Sequence, residues 1–475
     1  MMKILLIIVF AFFASIANAQ FTSGTGVEEY PLQVVDINEL RVVSEHFDKN
    51  FVQIADINAE ETGNWNDGAG FLPIESFTGT YNGNRYKISN LFINRSVNNT
   101  GLFIDLEGQL RNIHLDSVSV TGNNVIGALV GDLLGGIIEN STVTGDVTGN
   151  RRVGGFVGRN NGGEIIGSSA NAKIVGNRDG GGLFGDNDAG STKMSWAYGN
   201  VSMAEGSIRH ELGGLAGVNG ENAEIHYSWA SGSVTALHRR SGGIVGQNEG
   251  KTINSYATGQ VSGVFMVGGL VGVNRSGAVV SGSYSTGLFS LVDSEPDAEK
   301  KGGGFTSEDE GAEIPSSYWD VQSSGWITAG SNVTDGVTGL ETEQMTGVDA
   351  FFHMSDFDFE NVWQFTEQYP ALCWEDLESL PLPIETFSIT FNVDMRIAED
   401  YDPETRHVFV SGSFVGWNQP GSNHAANLAS GVYLYSIQTG NFTKVEKMML
   451  MKYYRPYSNM VVNNNKIKRE KYEKL

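Results

Sequence analysis

Residues 242–259 read Gly242-Gly-Ile-Val-Gly-Gln-Asn-Glu-Gly-Lys-Thr-Ile-Asn-Ser-Tyr-Ala-Thr-Gly259, and variants of this text return along the middle of the chain. The block Gly-(Gly/Ala)-x-x-Gly starts at Gly127, Gly154, Gly181, Gly213, Gly242 and Gly268, at spacings of 27, 27, 32, 29 and 26 residues. A degraded copy begins at Gly303, and Gly101 opens an earlier partial one. Two residues past five of the blocks stands an asparagine: Asn160, Asn187, Asn219, Asn248 and Asn274. A serine follows, at Ser141, Ser169, Ser195, Ser228, Ser255, Ser283 and Ser317, and in the later copies the next residue is aromatic: Trp196, Trp229, Tyr256, Tyr284 and Tyr318. Three copies continue into Gly-x-Val, at Gly199, Gly232 and Gly259.

A period of this length signals a solenoid, a propeller or an array. Gly is too frequent for helix, and Asn, Ser and Thr favour turns and extended chain. The apolar segments between glycines are too short to pair locally, so each should pair with its equivalent in the next copy. The expected fold is therefore all-β: a right-handed parallel β-solenoid of about seven to eight coils stacked about 4.8 Å apart, followed by small β remnants. Glycine supplies corners and close backbone approach. The recurrent Asn should form an amide ladder along the axis, and Trp196, Trp229, Tyr256, Tyr284 and Tyr318 an aromatic stack along one edge. Both read first as packing; a sugar-binding stripe and a calcium site are the functional alternatives.

The composition narrows the function classes. Gly makes up 61 of 475 residues and Pro only 10, while 31 Lys+Arg against 55 Asp+Glu leave a net charge of −24. So acidic a chain lacks the basic face that nucleic acid or anionic lipid requires. A single cysteine excludes a disulfide framework.

The ends differ from the middle. Lys3, the apolar run Ile4 to Phe13 and Ala17-Asn-Ala19 read as a secretory signal cleaved before Gln20; the run is too short to span a bilayer, and no stretch elsewhere is longer and as apolar. Residues 453–475 carry six Lys/Arg and two Glu, a solvated basic tail.

The repeat unit resembles the GLUG repeat of bacterial surface and secreted proteins. Phe51-Val-Gln-Ile-Ala-Asp-Ile57 and the stretch Phe77 to Leu91 look like the opening of such arrays; Ser316-Ser-Tyr-Trp-Asp320, Gly339 to Met345 and Tyr369-Pro-Ala-Leu-Cys-Trp374 look like their close. Farther on, Val408-Phe-Val-Ser-Gly-Ser-Phe-Val-Gly-Trp-Asn418 resembles the start of a starch-binding-like β-sandwich, which implies that Trp417 stacks on a sugar ring. Leu428 to Lys452 resembles the end of the C-terminal sorting domain of type IX secretion, and reads as a hairpin turning at Thr439-Gly-Asn. The first half of that domain is missing, and 23 residues follow Lys452. The expected organisation is a signal peptide (1–19), an N-terminal opening or cap region (20–100), the solenoid (101–320), its closing segment (321–384), a truncated starch-binding-like segment (385–425), a partial sorting domain (426–452) and the basic tail (453–475).

Catalytic patterns are sparse. His210-Glu211 lacks the second His of a zinc-protease helix, Asp186-x-Asp188 lacks the rest of a calcium loop, and the glycine blocks lack the Gly-Lys-Ser/Thr of a phosphate loop. His210, His226 and His238 occupy non-equivalent positions, and Cys373 reads as a small packed hydrophobe. One enzyme class keeps an opening: Asp179, Asp186, Asp188 and Glu221 would be the carboxylates of a polysaccharide-cleaving β-helix. The favoured expectation is a non-catalytic, secreted or cell-surface protein, displayed outside the outer membrane and active in adhesion or surface binding. Its expected partners are glycans, matrix or cell-surface proteins and the type IX machinery, with no cofactor, metal or nucleic acid. The longer spacings place insertions near Ala204–Glu211 and Leu291–Lys301 as contact loops.

Overall fold

The computed structural model describes residues 21–204, 211–236, 240–291, 301–333 and 335–375, together with three strands between residues 409 and 450. The chain divides into two compact units at Glu375. In the first, one turn of the repeat lays down four short strands in succession. Val130–Leu133 belongs to sheet A, Ile137–Glu139 to sheet B, Thr142–Thr148 to sheet C and Arg151–Gly154 to sheet D. The next turn repeats them in parallel register, Val130 beside Val157, Ile138 beside Ile165, Val143 beside Ala170 and Val153 beside Gly180. This is a parallel β-solenoid with eight strands in sheet A, ten in B, sixteen in C and seven in D.

The ten strands of sheet B, from Leu32–Val34 to Val279–Ser281, are separated by nine turns of chain, more than the seven or eight coils that the glycine blocks mark. The additional turns lie before Gly101 and close without the block. Phe51, Phe77, Tyr81 and Phe103 fill their interior, with Phe77 and Phe103 centroids 5.1 Å apart. Residues 32–94 are thus turns of the solenoid itself. A six-residue helix, Ile37–Val42, sits on the first turn, its N-terminus capped by Asp36. It buries Ile37 and Leu40 over the otherwise open end of the stack.

The glycine block straddles the corner between sheets D and A. Its first glycine ends a D strand, its large apolar residue turns inward, and its last glycine lies in the A strand. A Cβ on Gly243 would sit 2.3 Å from the Gly269 carbonyl oxygen one turn on, so this corner has no room for a side chain, whereas the first copy accommodates the buried methyl of Ala128 there. The core is a set of apolar columns, one residue per turn: Phe156, Leu183, Leu215, Ile244, Leu270 and Phe305 at the corner are all fully buried. Such stacking removes each turn's apolar face from water only when a neighbour is present.

The second unit contains an antiparallel sheet of Phe409–Gly412, Gly431–Thr439 and Phe442–Leu450. Thr439 pairs with Phe442, a two-residue hairpin connection at the position read from the sequence. Trp417 and the basic tail lie outside the described residues.

Candidate functional site

Three columns of polar or aromatic side chains run along the stack. The first is internal. Asn160, Asn187, Asn219, Asn248 and Asn274 end successive sheet A strands and are fully buried. Asn187 donates its amide to Asn219 at 2.9 Å, Asn219 to Asn248 at 2.9 Å and Asn248 to Asn274 at 3.1 Å. Asn160 instead accepts the backbone N–H of Gly163 at 2.9 Å.

Serine forms the second column by a different device. The Ser141 backbone N–H donates to Ser168 Oγ, Ser168 to Ser195, Ser195 to Ser228, Ser228 to Ser255 and Ser255 to Ser283, at 3.1–3.3 Å. Each hydroxyl donates in turn to a carbonyl two residues earlier, as Ser141 does to Glu139 at 2.8 Å. The hydroxyl thus stands in for a carbonyl where the chain bends between sheets B and C. The ladder residue is Ser168, not Ser169. Ser169 pairs with Trp196 and belongs to the next column.

That third column is aromatic and faces outward from sheet C. Trp196, Trp229, Tyr256, Tyr284 and Tyr318 are direct register partners. The rings stack at 6.0 Å for Trp196–Trp229, 5.9 Å for Trp229–Tyr256 and 5.0 Å for Tyr256–Tyr284. The closing segment, residues 340–375, folds back over them as a strap. Tyr256 donates its hydroxyl to Glu375 at 2.9 Å, Tyr284 to the Pro370 carbonyl at 2.6 Å and Tyr318 to Asp356 at 3.3 Å. Trp363 lies against Phe357 at 4.6 Å and Tyr284 at 5.5 Å, and Trp374 reaches Trp196 at 5.5 Å. Tyr256, Tyr284 and Tyr318 share a second hydrophobic core with Met345, Met354 and Trp363. Burial pushes the Tyr318 and Tyr369 hydroxyls up to about 12. Tyr256, Tyr284 and Tyr318 are interior groups, and a sugar has no access to their faces. Trp196 and Trp229, at the far end of the strap, stay half-buried.

Of the candidate carboxylates, Asp179, Asp186 and Asp188 sit near one another at the A–D edge, each within the field of an arginine. Asp179 is buried and bonded to Arg151 Nε at 2.9 Å and Arg178 Nε at 3.2 Å. Asp186 pairs with Arg152 Nε at 2.8 Å, and Asp132 binds Arg159 through both oxygens. Burial pushes Asp186 up to about 6, aided by Asp179 and Asp188 and opposed by Arg152. Glu211, one register step from Asp179, is also raised, by burial first and then by Asp179. Asp188 interacts with Asp186 and Arg159, whereas Glu221 is exposed in the following turn. Among the described residues no three His, Cys, Asp or Glu side chains are placed to hold a metal ion. His226 pairs with Glu224 at 3.2 Å. Cys373 is exposed rather than packed: it follows the buried strand pair Ala371–Leu372, which takes the inward positions. His210, His238 and most of both insertions lie outside the described residues.

A fourth column carried no weight in the sequence reading. Asn98, Asn124, Asn150 and Asn177 line the outer bend between sheets C and D. Asn124 donates to Asn98 at 3.0 Å, Asn150 to Asn124 at 3.3 Å and Asn177 to Asn150 at 3.0 Å. Its signal was the Gly-Asn pair at 149–150 and 176–177, 27 residues apart, preceded by Gly122-Asn-Asn124, where the second asparagine supplies the rung.

Comparison with known proteins agrees with the repeat. Residues 149–175 match the family described as the GLUG motif. Halomucin of Haloquadratum walsbyi (strain DSM 16790 / HBSQ001) is 29% identical over 379 residues, 77% of this chain. This chain spans only 4% of that relative's length. A solved IgA1 protease aligns over 74% of this chain and 26% of its own, at 17% identity and a TM-score of 0.40. One coil of the solenoid thus matches the GLUG motif, and the chain is similar in sequence to part of a very long relative.

Proposed function

We propose that this protein works outside the cell, secreted or on the bacterial surface, by presenting the edges of its solenoid for attachment rather than by catalysis. The observation that carries the reading is the nine-turn parallel stack closed by its own strap. Its columns repeat at a fixed step of about 4.8 Å, so weak contacts made by successive turns add as an avidity. The GLUG motif and the likeness to halomucin, a protein named as a mucin, support a surface repeat protein. Export by the signal at residues 1–19 and a type IX sorting segment at 426–452 belongs to the same proposal.

The test is an array of glycans and matrix proteins probed with the whole chain and with residues 20–384. Binding by the shorter form supports attachment through the solenoid. Binding by the whole chain alone, lost in Trp417→Ala, overturns it in favour of polysaccharide capture by the starch-binding-like segment. Turnover of a polymer, abolished in Asp186→Asn, would overturn both in favour of an enzyme.

A further inference from the structure

The coil between residues 149 and 178 departs from the acidic character of the chain. It carries Arg151, Arg152, Arg159, Lys173 and Arg178 against a single acid, Glu164. Arg152 and Arg159 are committed to Asp186 and Asp132. Arg151 and Arg178 are different. They are register neighbours on adjacent sheet D strands, and both hold Asp179 through Nε. Asp179 has a side-chain exposure of only 3%, while the two arginine side chains are 41% and 44% exposed. One buried carboxylate thus fixes two guanidinium groups one turn apart and leaves their outer forks toward water. Glu211 lies behind Asp179 on the Arg178 side and Asp186 acts on Arg151, so the acids are set inward while the guanidinium groups are the charges presented at the surface.

Directly beside this pair runs the asparagine column. Asn124 is the register partner of Arg151, and Asn150 and Asn177 immediately precede Arg151 and Arg178. Asn98 and Asn150 are exposed. A side-chain amide offers two N–H donors and an oxygen with two lone pairs; Asn124 and Asn150 each spend one donor on a rung, and the Asn98 oxygen accepts from both Asn123 and Asn124. The result is a strip of pre-ordered amides, suited to hydroxyl groups, flanked by a guanidinium pair suited to carboxylates. The chain's remote negative charge is screened beyond about 8 Å at physiological salt, and the nearby acids Asp179, Asp186 and Glu211 are buried, so the exposed guanidinium groups are what an approaching ligand meets.

We propose that Asn98, Asn124, Asn150 and Asn177 with Arg151 and Arg178 form a binding strip for a uronate polysaccharide, a chain bearing hydroxyls and one carboxylate on every sugar. The proposal rests on the attachment reading above and names one ligand class for it. The ring hydroxyls bond to the amide column, and carboxylates on neighbouring sugars meet the arginine forks. The solenoid step and the polymer step run side by side, so contacts recur turn after turn.

The experiment measures retention of the full chain on immobilised polygalacturonate, with methyl-esterified polygalacturonate as the uncharged control. The expected result is binding to the free acid, loss on the methyl ester and weakening as salt is raised. Arg151→Gln combined with Arg178→Gln should weaken binding about tenfold or more. That double variant leaves Asp179 buried without its partners, so Asn150→Asp is measured beside it. Asn150→Asp keeps both arginines, breaks an exposed rung and sets a carboxylate against the polymer, and should weaken binding similarly with an unchanged melting temperature. Equal binding to acid and ester, or full retention by Asn150→Asp, overturns the strip. Failure of the wild type on polygalacturonate with retained binding elsewhere on the array overturns the strip alone. Failure on every surface overturns the attachment reading with it.

Discussion

Tyr284 donates its phenolic hydrogen to the carbonyl of Pro370 at 2.6 Å, across 86 residues of sequence. The bond ties the outward aromatic column of sheet C to the strap, and both ends are inaccessible to water. Removing only the hydroxyl, as in Tyr284→Phe, strands a buried acceptor. The expected loss is about 1–3 kcal/mol in urea unfolding, with faster proteolysis between residues 341 and 375. Unchanged stability and cleavage would show that the strap is held by its apolar contacts alone.

The two asparagine columns should respond differently to truncation. Asn219→Ala deletes two internal rungs and leaves Asn187 and Asn248 facing a void. About 2–5 kcal/mol should be lost, because buried polar groups lose their partners. Asn150→Ala acts at the exposed column, where surface substitutions stay within about 0.5 kcal/mol. Equal costs at the two sites would contradict the burial difference.

Asp186 gives a pH dependence with a definite sign. Its folded-state pKa is raised to about 6 from the ordinary 3.8, by burial first, while Asp179 and Asp188 add to the rise and Arg152 and Arg151 oppose it. A raised acid stabilises the fold below its unfolded pKa and loses that contribution as pH rises through the folded one. Asp186→Asn should match the wild type near pH 4 and exceed it at neutral pH by up to about 3 kcal/mol. A stability difference that stays flat across that interval would refute the assignment.

Two glycines separate contact from conformation. A Cβ on Gly243 would meet the Gly269 oxygen at 2.3 Å, whereas Gly162 has open space but a φ of +90°. Gly243→Ala should cost about 1–3 kcal/mol or more by overpacking against backbone. Gly162→Ala should cost about 1–2 kcal/mol from the left-handed conformation alone. Thermal unfolding of both variants decides the order, and a less stable Gly162→Ala would reverse the argument.

The solenoid was legible because its corners demand glycine, and glycine at a fixed spacing is visible in plain text. The turns before Gly101 were less so, since bulky Phe51, Tyr81 and Phe103 fill them and leave no periodic mark. Aromatics at one register could be read as a column, but not what covers them. The strap contacts join residues as distant as Tyr256 and Glu375, and no local pattern encodes that pairing. The serine ladder was misplaced by one position because residues 168 and 169 are both serine, and only the register distinguishes them. The exposed asparagine column was present at the repeat spacing, yet Gly-Asn reads as an ordinary turn.

A stack held only by neighbour-to-neighbour contacts frays one turn at a time from its ends. Here the strap touches five consecutive rungs, from Tyr318 back to Trp196, through Phe357, Pro370, Glu375 and Trp374. Those turns cannot peel singly until it lifts. Tension on the chain leaving Glu375 would meet the grip of Trp374 on Trp196 and on the Tyr227 carbonyl first, midway along the stack and not at its last turn. Pulled from that side, the strap should unzip toward Tyr318 before any coil is drawn out.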